Sequence, residues 1–368
     1  MPKYIYEYDN WPTFTWNDKK IVVTLGKVRH LQGKVFGQMS ALGFSIKEET
    51  ILSTLTLDVL KSSEIEGEIL NQEQVRSSIA KKLGFELAGI DHVNRHVEGV
   101  VEMMLDATQR YDTRLDHERI FGWHASLFPT GWSGMYRIET GCYRSGEMQV
   151  VSGAMGKEKV HFQAPQANVV EKEMTTFLNW LDTEVDIDGV LKAAIAHFWF
   201  IIIHPFEDGN GRLARAISDM LLARSEESSQ RFYSLSNQIL TEKKKYYEIL
   251  QKVQYSSGDI TDWLDWFLNC MYRALQNTED SLKQVLLKAE FWDKHQETTL
   301  NSRQRLLLNK LFDGFDGKLK SSKWAKITKC SSDTALRDIK DLIEKGILTQ
   351  DESGGRSTNY ELTEPWKV

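Results

Sequence analysis

Proline is scarce in this chain, with six among 368 residues. Proline fixes φ and removes a backbone donor, so its scarcity leaves long stretches open to helix. Cysteine is scarcer still. Cys142, Cys270 and Cys330 are odd in number and far apart, which supports neither a disulfide framework nor a zinc site. That usage is the one expected of a reducing, cytosolic location. No apolar run approaches the ~20 residues of a membrane span, and Met1-Pro2-Lys3-Tyr4 lacks the charged-then-apolar pattern of a signal peptide, so no membrane partner is expected. Nor does charge of one sign dominate. The 46 Lys and Arg against 52 Asp and Glu leave −6, which gives no global case for nucleic-acid or membrane binding.

What the chain does have is helical periodicity. It reads as mainly α, with helices expected at Lys34–Lys61, from the N-cap Asn71 to Leu83-Gly84, and at Asp91–Tyr111, Asp116–Phe128, Asn168–Glu184 and Ile187–Ile203. Further helices are expected at Leu213–Arg224, Thr241–Tyr255 and Asp259–Asn277, with Ser281–Gln296 as an extension. Two stretches break the pattern. Tyr4, Tyr6 and Tyr8 alternate in an aromatic-rich start that runs to Trp16, which suits a short strand or extended arm packed on the helical core. Gln149-Val150-Val151 and Val160-His161-Phe162 read as a hairpin turning through Ser152 to Gly156.

The chemistry concentrates in His204-Pro-Phe-Glu-Asp-Gly-Asn-Gly-Arg-Leu-Ala-Arg215. Gly209 and Gly211 let the backbone turn and present its N–H groups, at the positive end of the helix that follows. Arg212 and Arg215, three apart, share one helix face, and their forks match phosphate oxygens. Asp208 suits Mg²⁺, which takes a carboxylate together with substrate phosphates. Histidine ordinarily titrates near neutral pH, so His204 can serve as a base. The cluster therefore reads as a nucleotide polyphosphate site with a histidine at its edge.

This run resembles the motif of the Fic family, His-x-Phe-x-(Asp/Glu)-Gly-Asn-Gly-Arg-x-x-Arg, at every fixed position. The resemblance implies a Fic-type helical core and transfer of AMP from ATP to a Ser, Thr or Tyr hydroxyl of a target protein, with self-modification as an option. By that resemblance His204 is the base, Phe206 anchors the loop and Asp208 holds Mg²⁺. Gly209, Asn210, Gly211 and their amides take the α-phosphate, Arg212 the β- and Arg215 the γ-phosphate. Family members that phosphorylate instead carry lysine at the second loop glycine; here that position is Gly211. The hairpin lies where the family places its flap, so Val160, His161 and Phe162 are expected either to pair with the target's backbone by strand addition or to be purely structural.

The acidic stretch at Ser62 to Glu68 is by itself an ordinary solvated helix end. Beside the motif, Ser62, Glu66 and Gly67 fit the family's inhibitory (Ser/Thr)-x-x-x-Glu-(Gly/Asn). Glu66 is then expected to pair with Arg215 and take the γ-phosphate's seat, with Ser62 closing the local turn; the alternative is a structural ion pair. Tyr247 and Gln254, seven apart on one helix face, resemble the family's Tyr and Asn around adenine and ribose, though Gln replaces Asn; an amphipathic core helix is the other reading. His197 is either a proton shuttle or a core histidine, and His124 is read the same way. Tyr143-Arg144 is read as scaffold.

Residues 302–368 read as a winged helix-turn-helix, with helices at Ser302–Phe312, Lys323–Lys329 and, capped by Ser332, Thr334–Lys345. Two strands are expected at Ile347–Thr349 and Asn359–Leu362, around Asp351 to Arg356. Between Lys318 and Lys345, eight Lys or Arg face four Asp or Glu, which suits DNA phosphates, while Asp338, Asp341 and Glu344 oppose them. DNA contact, protein binding and homodimerisation all stay open for this module. The expected layout is an N-terminal region with the inhibitory helix (1–90), the Fic core (91–280), a linking helix (281–301) and the winged-helix module (302–368). Two other functions stay open beside AMP transfer: a DNA-binding regulator that senses nucleotide, and removal of AMP by the same site.

Overall fold

The computed structural model of the chain describes residues 3–40, 44–85, 93–152, 159–312, 315, 317–350 and 358–366. The chain divides into two compact units, Met1–Gln276 and Asn277–Val368. In the first, a 3-10 turn (Ile5–Glu7) precedes α1 (Asp18–Ser40), α2 (Phe44–Ile65), α3 (Gln72–Leu83), α4 (Arg95–Gln109) and α5 (His117–Leu127). Two short antiparallel pairs follow, β1 (Trp132–Ser133) with β2 (Tyr136–Arg137), and β3 (Gln149–Ser152) with β4 (Lys159–Gln163). Then come α6 (Ala167–Thr183), α7 (Gly189–Ile203), α8 (Asn210–Glu226), α9 (Leu235–Thr241), α10 (Lys243–Val253) and α11 (Thr261–Lys294), which runs across the unit boundary.

The centre of the first unit follows from α7. Every residue from Ala193 to Phe200 is buried, and a helix with no polar stripe belongs inside a helical bundle. α8 packs along it through buried Leu213, Ala214, Ile217 and Leu221. The loop between these two helices is the motif, so its ends are fixed by the best-packed elements of the fold. Asn71 caps α3 as expected, accepting from Gln74 N at 3.0 Å, and Gly84 ends it with φ 75°.

Several elements differ from the sequence expectation. α1 begins sixteen residues before Lys34, where the pattern was first read. Gly26, Gly33 and Gly37 dilute its helical signal and meet no neighbour within 4 Å, while Ile21, Val28, Leu31, Val35 and Met39 still form a buried stripe. α9 was not expected; Ser234 caps it, accepting from Asn237 N at 3.0 Å. The extension expected at Ser281–Gln296 is present: α11 continues through Asn277 to Lys294. Glu279 pairs with Lys283 one turn on at 3.4 Å, and Ser281 Oγ donates to Asn277 O at 2.9 Å, so the polar stretch is a solvated helix face. The aromatic start forms a 3-10 turn instead of a strand, with Tyr4 N donating to Glu7 Oε2 at 2.6 Å. Trp11 and Phe14 do pack on the helical core, edge-on to Trp199.

The second unit holds α12 (Ser302–Phe312), α13 (Ser321–Thr328), α14 (Ser332–Glu344) and the antiparallel pair β5 (Leu348–Gln350) and β6 (Tyr360–Leu362) around Trp324, Ile339 and Leu342. Ser331, not Ser332, caps α14, accepting from Thr334 N at 3.2 Å. Residues 351–357, including Arg356, lie outside the described residues. Asp338 does not face outward as its place in a basic stretch suggested. It is buried and accepts from Arg303 Nε at 2.7 Å and Asn301 Nδ2 at 2.9 Å. Among the described residues no helix is long and apolar enough to cross a membrane.

α4 and α5 approach closely at Gly99, where an added Cβ would lie 1.8 Å from the Ser126 carbonyl oxygen. Backbone cannot yield as a side-chain tip can. Gly99→Ala should therefore destabilise the protein by about 1–3 kcal/mol or more. Equilibrium urea unfolding checks it, and unchanged stability would mean the two helices can part freely.

Candidate active site

The motif loop is built by two helix ends. His204 ends α7 in the left-handed region at φ 50°, its N–H bonded to Phe200 O, which turns the chain sharply out of the helix. Phe206 buries its ring and stacks on His124, centroids 4.1 Å apart. Asn210 then closes the loop on itself: its Oδ1 accepts from Phe206 N at 3.0 Å and its Nδ2 donates to Phe206 O at 2.8 Å. The Asn210 side chain thus clasps the loop backbone through both of its polar atoms. Gly209, at φ 81°, starts α8. The first-turn N–H groups of α8 converge on the space beside His204, which is an anion-binding arrangement.

Arg144, read from sequence as scaffold, is buried and fastens this loop from behind. Its Nε donates to His204 O at 2.8 Å, its backbone N to Pro205 O at 2.9 Å, and its Nη2 to Pro165 O at 2.5 Å. His204 Nδ1 donates to Ile201 O at 3.3 Å, which leaves Nε2 with its lone pair toward the cavity. Burial pushes the His204 pKa down to about 4, only partly opposed by the Ile201 carbonyl. The ring is therefore neutral at physiological pH and ready to accept a proton. Asp208 accepts from Gly209 N at 2.5 Å and from the Ser133 hydroxyl.

Two carboxylates occupy the two motif arginines. α2 ends at Ile65, and Gly67 at φ 86° turns the chain so that Glu66 and Glu68 both reach α8. Glu66 Oε1 lies 2.8 Å from Arg215 Nη2, and Glu68 Oε2 lies 2.9 Å from Arg212 Nη1. Arg215 is 1% exposed. Burial opposes its charge, Glu66 together with Tyr246 and Tyr247 outweighs that, and its pKa stays above the usual guanidinium range. Ser62 does not hold Glu66, as the turn-closing reading expected. It holds Arg215 directly, its Oγ accepting from Nε and its carbonyl from Nη2, both at 2.9 Å. Glu68 also meets the His96 ring. Burial raises the Glu68 pKa, and His96 with Arg212 outweighs it, so this carboxyl titrates below its ordinary range. Neither Glu68 nor His96 was picked from the sequence. Glu68 stood in the same acidic run as Glu66; His96 had no signal. Arg212 also lies over the Phe128 ring, 5.0 Å from its centroid.

A cavity of about 580 Å³ opens between the motif, the β3–β4 hairpin and α10, lined among others by Glu66, His204, Gly211, Phe162, Tyr247 and Gln254. Tyr247, 43% exposed, lies on its wall. Gln254 is buried, and its Nε2 donates to His161 O at 2.8 Å, so its amide grips the hairpin. Of the three expected docking residues, Val160 is exposed, whereas Phe162 turns inward, 6.3 Å from the His204 ring. His197 is a satisfied core histidine: Nδ1 meets Ser218 Oγ and Nε2 meets Tyr246 OH, each at 2.9 Å. Buried His124 accepts from Gly141 N at 3.1 Å.

Comparison with known proteins matches these elements. Residues 114–222 match the Fic/DOC family, and residues 4–85 a domain of unknown function, DUF4172. A probable protein adenylyltransferase of Aquifex aeolicus is 29% identical over 68% of this chain and 75% of its own length. The protein adenylyltransferase Fic of Nematostella vectensis is 25% identical over 59% of this chain and 47% of its own length. The chain thus spans three quarters of one relative and about half of the other. In fold, a Fic family protein from Desulfovibrio desulfuricans G20 covers 96% of this chain and 99% of its own at TM-score 0.56 and 21% identity. A Fic domain containing signalling protein of Bacteroides thetaiotaomicron covers 72% and 97% at TM-score 0.50 and 20% identity.

Gly209 carries the loop's one left-handed step between Asp208 and α8, and a Cβ there would lie 2.9 Å from Phe128 Cε2. Gly209→Ala should cost about 1–2 kcal/mol in backbone strain alone, with the ring contact added to it. Denaturant unfolding against wild type checks this; equal midpoints would show that the loop can be re-formed without the left-handed residue.

Proposed function

Residues 114–222 form a Fic/DOC domain, and from that premise we propose that the chain is a protein adenylyltransferase, transferring AMP from ATP to a hydroxyl side chain of a protein and held off by Glu66. One observation carries the reading. Both arginines that the motif offers to a polyphosphate are already held by carboxylates of the α2 end, beside a histidine whose Nε2 is free to take a proton. Arg215 lies deep, its Nη1 is buried without a hydrogen-bond partner, and that nitrogen lies beside Gly211, at the cavity. An anion from outside would answer it.

In the reaction, the acceptor hydroxyl gives its proton to His204 Nε2 as its oxygen bonds to the α-phosphorus. The bond from that phosphorus to the bridging oxygen breaks, and pyrophosphate leaves. The residues supply alignment and charge more than covalent chemistry. The amides at the start of α8 hold the α-phosphate, and Arg212 and Arg215 hold the rest of the chain. Asp208, held at the start of α8 by Gly209 N and the Ser133 hydroxyl, is the carboxylate that would hold Mg²⁺, which would neutralise phosphate charge there. Glu66 on Arg215 repels the γ-phosphate and moves the α-phosphate out of line. Glu68 on Arg212 adds a second negative charge to the same seat.

Intact mass after incubation with Mg·ATP tests this. Glu66→Gly should gain an adenylyl increment about 10²-fold faster than wild type, since misalignment of this kind costs that order in rate. Glu66→Gly/His204→Ala should gain none. A phosphoryl increment would overturn the donor geometry, and equal rates for wild type and Glu66→Gly would overturn the brake.

The pH dependence gives a second check. Because His204 is neutral above about 4 and removing Glu66 takes away an influence that raises its pKa, the rate of Glu66→Gly should stay level from pH 8 down to about 5 and fall only at about 4 or below. A half-maximal rate near the ordinary histidine value of 6.5 would contradict the assigned environment of His204.

A further inference from the structure

The N-terminal aromatic start belongs to the site's architecture more than to the helical core. Tyr4 and Tyr6 stack on each other, centroids 5.5 Å apart, and both meet the buried Phe162 ring edge-on, at 5.4 and 6.2 Å. Tyr4 also stacks on Tyr255. Both hydroxyls then bond to one residue of β4. Tyr4 OH accepts from Gln163 N at 3.2 Å, and Tyr6 OH donates to Gln163 O at 2.8 Å. Two residues back along β4, His161 O accepts from Gln254 Nε2, and Gln254 O in turn accepts from Ile5 N at 2.7 Å.

Strand geometry gives these contacts a direction. Ala164 N donates to Met148 O, and Val150 stands opposite Phe162, so Gln149 and Gln163 form the intervening pair. In an antiparallel ladder such a pair turns its polar backbone groups away from the partner strand. Those of Gln163 meet the two tyrosines. Those of Gln149 point to the opposite side of the hairpin, along β3, where Val150 and Val151 are exposed and line the cavity next to His204. A short, partly exposed edge of this kind is a template for an added strand.

Resting on the adenylyltransferase reading, we infer that Tyr4, Tyr6 and Gln254 are positioning residues of the transfer: they fix β4 beside His204 and close its outer edge, so an extended acceptor segment pairs with β3. The arm acts through β4, which carries Phe162 against the His204 ring, and touches no reacting atom. Gln254, expected at the nucleotide, contributes through its grip on His161.

The test uses the 368-residue chain with Glu66→Gly as enzyme and the His204→Ala chain as acceptor, distinguished by mass. Tyr4→Phe/Tyr6→Phe in the enzyme keeps both rings and removes both hydroxyl bonds. The KM for the acceptor should rise about tenfold, the loss of two ordinary hydrogen bonds, with the KM for ATP within about twofold. Hydrogen exchange at the Gln163 amide should quicken by about as much. Gln149→Pro removes an N–H that points away from β4 and so spares the hairpin ladder. It should raise the acceptor KM likewise while the Phe162 amide stays protected. An acceptor KM unchanged in Tyr4→Phe/Tyr6→Phe, or slow Gln163 exchange in that variant, overturns the positioning role. An unchanged KM in Gln149→Pro overturns the assignment to β3. If Glu66→Gly transfers nothing, the adenylyltransferase reading fails and the positioning role fails with it, an outcome distinct from transfer that ignores the arm.

Discussion

A guanidinium buried to 1% exposure has to be answered by an anion, and in this protein nearly everything around the motif is arranged by that requirement. Arg215 projects from the first turns of α8 into a space walled by α2, α7 and α10. Ser62 satisfies two of its donors and Glu66 a third. The remaining nitrogen faces the loop. The same requirement makes Arg215 suited to a phosphate, so in the proposed reaction carboxylate and nucleotide would compete for one electrostatic seat. The competition follows from where the chain ends α2, because Gly67 turns Glu66 and Glu68 back onto the two arginines.

The loop between α7 and α8 stays open to a ligand because its own polar groups are settled internally. Asn210 clasps the Phe206 backbone, Phe206 stacks on His124, and Arg144 ties His204 and Pro205 from behind. What is left at the cavity is the start of α8 at Gly211 and one histidine nitrogen with a lone pair, with the arginine forks behind Glu66 and Glu68. Burial keeps His204 neutral, and the Ile201 carbonyl selects the tautomer. Rigidity behind the loop and availability in front of it are two aspects of one packing arrangement.

The comparison with sequence expectation divides along contact distance. Helices with a clean apolar stripe and a clear cap, such as α3 with Asn71 and Gly84, were legible with their ends. α1 was legible only in part, since three glycines lower its local propensity while packing of Ile21, Val28 and Val35 overrides them. The stretch after Asn277 was legible as an extension of the helix before it, and it is part of α11. In the second unit, Asp338 read as an exposed acid, yet Arg303 and Asn301, some 35 residues away, draw it inward. Ser62 was assigned to the right neighbourhood and the wrong partner. The rotation of α2 puts its oxygen on Arg215, and nothing in the spacing of Ser62 and Glu66 reveals that rotation.

What the sequence determined by itself was the local set of groups: twelve consecutive residues carry a histidine, a glycine-flanked loop and two arginines, and their spacing fixes which of them share a helix face. The acidic end of α2 was visible too, once it stood beside that motif. Only the tertiary structure decided which carboxylate meets which arginine, that Glu68 joins Glu66, that Asn210 serves the loop and Gln254 the hairpin, and that the first few residues of the chain hold a strand some 160 residues later. The reason is physical. Helix periodicity and turn chemistry act over a few residues, whereas a buried donor takes whichever acceptor packing brings within 3 Å, and packing is a property of the whole fold.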